Sequence, residues 1–226
     1  TRAAAKQARS AMELLLACTL HPRAAVAEVA AEGWLCFARS QPMPVPVESW
    51  IQGLFSLVAQ RTVSRCSRAQ LRLGTGDDTD DLEEWRERSA RPLLNACSEL
   101  LGMGAWLAPI AASMQTANAE ARVQSAIRAA GGVPSGEGGA EALEALLFGA
   151  ACTSPRCVRA CPSQVSEGLL AEFVGGVRAL AASRTTADDA QMALVVQQAS
   201  ACCVALALAS SEGDARWEED DSDDDE

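Results

Sequence analysis

Apolar positions in this chain recur at steps of three and four residues, and no stretch shows the strict alternation of a half-buried strand. The clearest case runs from Asp80 to Gly102. Leu82, Trp85, Ser89, Leu93, Cys97 and Leu100 gather on one stripe of a helix, while Glu83, Glu84, Arg86, Glu87, Arg88 and Arg91 face elsewhere. Acids fill its first turn, where the helix dipole favours negative charge, and Gly102 is a natural terminator. Pro92 has no amide hydrogen and crowds the carbonyl four residues back, so the pattern predicts a kink near Arg88 to Arg91.

The same periodicity predicts helices on both sides. Residues 2 to 19 carry Met12, Leu15, Leu16 and, just beyond, Leu20 on one side. His21-Pro22 then breaks the chain before a second helix through Val26, Val29, Ala30, Trp34, Leu35 and Phe37, and so short a break makes a helical hairpin. Pro42, Pro44 and Pro46 mark an extended spacer. A third helix is expected from near Glu48 to about Leu73, its inner face formed by Ile51, Leu54, Phe55, Val58, Thr62, Cys66 and Ala69. Beyond Gly104, one or two helices carry Trp106, Leu107, Ile110, Met114, Val123 and Ile127, with Pro109 near a boundary. The glycine-rich stretch 131–139 reads as a loop, and helices follow at 141–151, 164–182 and 187–209, with 152–162 irregular. The fold expected is all-α. Uneven helix lengths, and an apolar stripe on each pair, favour an α-solenoid of HEAT-like antiparallel hairpins over residues 1–210 rather than a closed bundle.

Composition agrees with the periodicity: hydrophobic residues make up 49% of 226, aromatics only 4%, and tyrosine is absent. Alanine and leucine dominate that apolar share, which suits helices. Of the 19 basic residues only Lys6 is a lysine, a coding bias toward arginine. The net charge of −11 is concentrated, because residues 212–226 hold ten acids against Arg216 and leave −2 for the rest. Residues 211–226 therefore read as a disordered acidic tail, and the body has no nucleic-acid-binding charge. Nine cysteines, an odd number inside helical patterns with no signal peptide ahead of them, point to reduced thiols in cytoplasm or nucleus. The uncharged run from Ala190 to Ser211 contains Gln191, Gln197, Gln198 and Ser200, so it reads as a buried helix and not as membrane insertion. Thr1 in place of a methionine suggests a segment or a processed product.

Candidate chemistry is sparse. His21 is the single histidine, and its Pro22 neighbour makes it a turn residue rather than a base. Cys152, Cys157 and Cys161 lack the fourth ligand and paired short spacings of a zinc site, and 131–139 lacks the Lys-Ser or Lys-Thr ending of a phosphate loop. No cofactor is expected. Two charged elements remain. Arg61, Arg65, Arg68 and Arg72 fall at steps of four, three and four, which makes one basic ridge, and an acidic loop follows from Gly74 to Asp81. Ridge and loop either neutralise each other or form a contact for charged partners, in which Asp77, Asp78, Asp80, Asp81, Glu83 and Glu84 join the four arginines. Asp77-Asp78-Thr79-Asp80-Asp81 also fits the Asp-Asp-x-x-Asp pattern that holds Mg²⁺ and diphosphate in all-α isoprenoid synthases. Against that reading, two glycines place it in a loop, and Asp188-Asp189 lacks the third acid of a second cluster.

Four stretches in order resemble the karyopherin-β (importin-β) superfamily of HEAT-repeat nuclear transport receptors, and most closely its transportin-SR branch. They are His21-Pro22 followed by Val26 and Gly33-Trp34-Leu35; the long helix Trp50 to Arg72 ahead of an acidic linker; Asp80-Asp81-Leu82-Glu83-Glu84-Trp85-Arg86 leading into a helix closed by Gly102; and Glu144-Ala145-Leu146-Leu147-Phe148. The likeness spans roughly residues 20 to 150. Gly33 stands where the family has an aromatic, Trp85 where it has Phe, and the tryptophan expected shortly before Glu144 is missing. The resemblance implies a solenoid segment that binds protein cargo, the GTPase Ran and nucleoporins, moves between cytoplasm and nucleus, and makes or breaks no bonds. Without it, the residues alone support a generic HEAT or armadillo scaffold for protein partners.

Overall fold

The computed structural model describes residues 2–39, 49–67, 79–129, 138–153, 157–158, 167–182 and 190–220, and these are all helix or tight turn. The elements are α1 (Arg2–Cys18), α2 (Ala24–Arg39), α3 (Ser49–Arg65), α4 (Thr79–Trp85), a π-helical turn (Arg86–Ala90), α5 (Arg91–Ala129), α6 (Gly138–Ala151), α7 (Glu167–Ala182) and α8 (Ala190–Asp220). The chain divides into two compact units, Thr1–Leu100 and Leu101–Glu226.

In the first unit α1 packs on α2, and α2 packs on α4 and the π turn. Alanines make this close approach possible: Ala27, Ala30, Ala31 and Ala38 are the buried side chains of α2, together with Trp34. Trp34 meets the ring of Phe55 edge-on at 5.9 Å, and Phe55 stacks on Phe37 at 5.7 Å with 8° between the planes. One aromatic cluster thus joins α2 to α3, with Ile51, Val58, Ala59 and Val63 buried along the same helix.

The central helix is not regular. Its kink takes the form of a π turn over Arg86–Ala90, closed by the Arg91 amide donating to the Arg86 carbonyl and ending two residues before Pro92. A π turn widens the helix where the proline ring would otherwise press on the Arg88 carbonyl, so the irregularity has an identifiable cause. The buried stripe widens with it, to paired positions Trp85 and Arg86, Ser89 and Ala90, Leu93 and Leu94, and Cys97 and Ser98. Arg86, one turn after Leu82, lies inside with them although it is charged. At Gly102 the backbone leaves the helix (φ 73°, ψ 165°) before helical geometry resumes. Pro109 lies inside the resumed helix rather than at a boundary.

In the second unit α6, α7 and α8 pack on one another. Gly176 on α7 fits against Leu143 and Leu147 of α6 and Met114 of α5, where a methyl group would come within 3.3 to 3.5 Å of all three. Phe148, Phe173, Leu180, Val195, Ala199 and Leu206 complete this core.

Several boundaries differ from the sequence pattern. α3 stops at Arg65 instead of near Leu73, because Cys66 and Ser67 tighten into a turn whose amides bond back to Thr62, Val63 and Ser64. α8 does not stop near Ala209 but continues to Asp220, so ten residues of the expected disordered tail, 211–220, are helical. Alanine, glutamate and arginine in that stretch propagate a helix already nucleated by the packed turns before it. The stretch 82–120 is long and apolar enough to span a membrane, yet half of that window is buried in the protein, as in a core helix.

Gly102 generates a direct test of the break. Its φ lies where L side chains are strained, while open space surrounds the position a Cβ would take. Gly102→Ala should therefore lower stability by about 1 to 3 kcal/mol through backbone strain alone. Urea unfolding followed by circular dichroism reads this as a lower midpoint with an unchanged slope.

Candidate functional site

The candidate site gathers at the end of α3 and the start of the π turn. Arg61 donates from Nη1 to the Leu16 carbonyl at 2.5 Å, and Arg65 donates from Nη1 to the His21 carbonyl at 2.5 Å. Both carbonyls lie at or just beyond the end of α1, where a helix leaves its last C=O groups without intrahelical partners and its dipole favours a cation. Arg86 does the same for α3, donating from Nη2 to the Cys66 carbonyl at 2.6 Å. Three guanidinium groups thus close the C-terminal ends of two helices. Arg65 and Arg86 are only 6% and 5% exposed, so the expectation of an outward basic ridge is corrected at Arg65.

Burying a cation requires compensation. The Arg65 guanidinium carbon sits 5.0 Å from the centre of the Trp85 ring, a cation–π arrangement. Loss of water lowers the Arg65 pKa, while the Cys66 thiol and the Glu28 carboxylate oppose that shift. Cys66 lies between the two arginines. Burial pushes its thiol up to about 12, although Arg86, the Trp85 indole, Arg65 and Arg91 all favour the thiolate. Desolvation outweighs four favourable neighbours, so the thiol stays protonated and inert at neutral pH.

The acidic half of the expected contact is partly visible. Glu83 and Glu84 are exposed on α4, opposite the buried Leu82, Trp85 and Arg86. Glu84 pairs with Arg88 at 2.5 Å and Glu87 with Arg91 at 2.7 Å, both one turn along the helix. Such exposed pairs contribute about 0.3 to 0.5 kcal/mol each, and they make this face zwitterionic rather than simply acidic. Asp80 and Asp81 lie in the backbone of the first turn of α4, while Asp77, Asp78, Arg68 and Arg72 lie outside the described residues. The carboxylates required by the isoprenoid-synthase reading, Asp77, Asp78 and Asp81, are thus placed only at Asp81, and there by backbone alone.

His21 accepts the Arg23 amide at Nδ1, 3.1 Å away, while its carbonyl takes Arg65; it fixes the turn between α1 and α2. Among the described residues no three histidines, cysteines or carboxylates converge on a common point. Cys152 and Cys157 are buried, and Cys161 lies outside the described residues.

Periodicity did not single out the threonine relays at two helix ends. Thr19 donates to the Leu15 carbonyl at 3.0 Å and accepts the Trp34 indole N–H at 3.3 Å. In the second unit Thr153 donates to the Ala150 carbonyl at 2.6 Å and accepts the Trp106 indole N–H at 3.0 Å, while the Cys202 thiol reaches the same carbonyl at 3.3 Å. Both threonines end the same tripeptide, Ala17-Cys18-Thr19 and Ala151-Cys152-Thr153, with Pro-Arg shortly after. That repeated string was the available signal.

No protein-family profile, curated protein or solved structure matches this chain. The reading of the site therefore rests on its residues and their geometry.

Two measurements test the arginine and thiol assignments. Arg86→Ala leaves the Cys66 carbonyl buried without that donor and opens a cavity, and should cost about 3 kcal/mol. Arg86→Met removes the same donor but keeps most of the volume and should cost about 1 to 3 kcal/mol, so a methionine variant as stable as the wild type in denaturant melts would contradict a capping role. The second measurement is alkaline titration of stability. Cys66, Cys97 and Cys202 all have thiols raised to about 12 by burial, against 9.0 for the free side chain. Between those values the unfolded chain has lost protons that the folded chain keeps, so stability is full below pH 9 and falls as pH rises toward 12. Cys97→Ala should flatten that slope, and thiol-reactive reagents at pH 8 should label exposed Cys36 well before these three.

Proposed function

We propose that this chain is a helical-repeat segment of a nuclear transport receptor of the karyopherin-β kind, similar to the transportin-SR branch, which binds protein cargo and is controlled by Ran. The observation that carries the proposal is where the residues of the resemblance lie. Trp34, Leu82, Trp85, Arg86, Glu144, Leu147 and Phe148 are buried, while Pro22, Glu83 and Glu84 of the same stretches are exposed. Around Trp34, Leu82, Trp85 and Arg86 the packed elements are α2, α4 and the π turn. Buried residues spaced in the family's order are what a shared helical packing would preserve.

In this reading the helical pairs stack as a HEAT-like solenoid. Each repeat rests on its neighbours, and the array flexes to wrap cargo or Ran. The chemistry is binding alone. The acidic segment through Asp77, Asp78, Asp80, Asp81, Glu83 and Glu84 attracts basic partners over a distance and loses that attraction as salt rises. Arg61 and Arg65 leave the contact set in favour of helix-end closure, while nucleoporin contacts and shuttling between nucleus and cytoplasm follow from the same family likeness.

The test is a pull-down by the full-length protein with Ran loaded with a non-hydrolysable GTP analogue or with GDP. Preferential capture of the GTP-loaded form, with release of co-purified cargo, is expected. Equal capture, or none, would leave the plainer alternative of a nucleotide-independent helical scaffold.

A further inference from the structure

α8 is anchored by burial over only part of its length. Val195, Ala199, Cys203, Leu206 and Ala209 form its buried face, packed against α6 and α7, and Ala209 is the last described buried residue of the helix. The backbone nevertheless stays helical to Asp220. Ser211, two residues past Ala209, is exposed, and its hydroxyl donates to the Leu208 carbonyl at 2.8 Å, about one turn back. Gly213 follows in sequence, and a glycine inside a helix weakens it by about 1 kcal/mol relative to alanine. The chain around Ser211 therefore opens at low cost, as an enzyme that must grip a serine in extended form requires.

The sequence after this serine narrows which enzyme that is. Glu212 and Asp214 stand at the first and third positions beyond it. Among the described exposed serines, Ser10, Ser64, Ser113 and Ser211, only Ser211 has acids at both. Ser64 is followed by Arg65, and Ser113 by Met114, Gln115 and Thr116. Kinases discriminate between serines by the charge of the residues around the acceptor, and acids beyond it match a basic substrate groove. Residues 212–226 hold ten acids against Arg216, which adds attraction toward such a groove from a distance.

We propose that Ser211 is a phosphorylation site for a serine kinase that prefers acidic substrates, and that the phosphate unwinds α8 beyond its packed part. In the transfer the Ser211 Oγ attacks the γ-phosphorus of a nucleoside triphosphate. The new O–P bond replaces the bond to the nucleoside diphosphate, which leaves, and the hydroxyl proton passes to the kinase's base. The ester oxygen has no proton to donate, so the Leu208 carbonyl loses the bond it now receives from Ser211. The phosphate also brings about two negative charges at neutral pH, next to a stretch whose sequence already sums to −9, and like charges repel. Burial from Val195 to Ala209 keeps the preceding turns in place, so the switch acts on 211–220 and leaves the core of the unit intact. The proposal does not depend on the carrier reading.

The experiment uses the whole chain carrying Ser222→Ala, because Ser222 also stands among acids in the sequence. It is incubated with ATP and an acid-directed serine kinase, and the product is mapped by mass spectrometry of its peptides. Phosphate is expected on Ser211 and should be absent from Ser211→Ala. Glu212→Gln with Asp214→Asn, which leaves the hydroxyl in place, should slow the transfer about tenfold. A kinase that requires arginine ahead of its serine should leave Ser211 unmodified. Amide hydrogen exchange should then be faster over 211–220 in the phosphorylated chain than in the unmodified one, and unchanged over 195–206. No phosphate on Ser211, or a rate indifferent to loss of both acids, would overturn the site. Phosphorylation that leaves exchange over 211–220 as it was would overturn the unwinding.

Discussion

The architecture depends on closing helix ends where water does not reach them. Every α-helix leaves its last carbonyls without partners, and a carbonyl buried in that state costs about 1 to 3 kcal/mol. In this chain the carbonyls at the ends of α1, α3 and α6 are wholly or partly buried, so water serves them poorly. Side chains both local and distant in sequence bond to them as well. Leu15 takes Thr19, Leu16 takes Arg61, His21 takes Arg65, Cys66 takes Arg86, and Ala150 takes Thr153 and Cys202. Because several of these donors are distant in sequence, each closure also fixes one helix against another.

This explains a preference that composition alone left neutral. Eighteen arginines against one lysine reads as coding bias, and for the exposed Arg88 that account suffices. At Arg65 and Arg86 the planar guanidinium has a physical use that an ammonium lacks. It reaches a carbonyl with one nitrogen at both positions, lies over the Trp85 indole at Arg65, and tolerates desolvation better. Trp85 and Arg86 are adjacent in sequence and both buried, at the point where the α-helix passes into the π turn ahead of Pro92.

The sequence made the helices legible because their cores are periodic. Leu82, Trp85, Ser89, Leu93 and Cys97 all lie buried where a 3.6-residue repeat places them, as do Ile51, Phe55, Val58 and Thr62. Helix ends were less legible, since an end is decided by distant partners: α3 stops at Arg65 where Arg86 comes across to the Cys66 carbonyl, twenty residues away in the chain. The candidate site was misread for a related reason. A helical wheel places Arg61 and Arg65 beside the apolar face, but it cannot show that the neighbouring surface is the bare end of another helix. The two Ala-Cys-Thr strings were visible throughout, but their meaning required the tryptophans that meet them, one following its threonine by fifteen residues and the other preceding it by forty-seven.

All the named donors and acceptors of a given helix end lie in the same compact unit: Leu15, Leu16, His21 and Cys66 are served from within Thr1–Leu100, and Ala150 from within Leu101–Glu226. A hydrogen bond needs its partners at a fixed distance and angle, and a charge-assisted one loses most when they separate. Donor and acceptor held in one packed unit keep that geometry, so these helix ends are closed by the same packing that forms the unit's core.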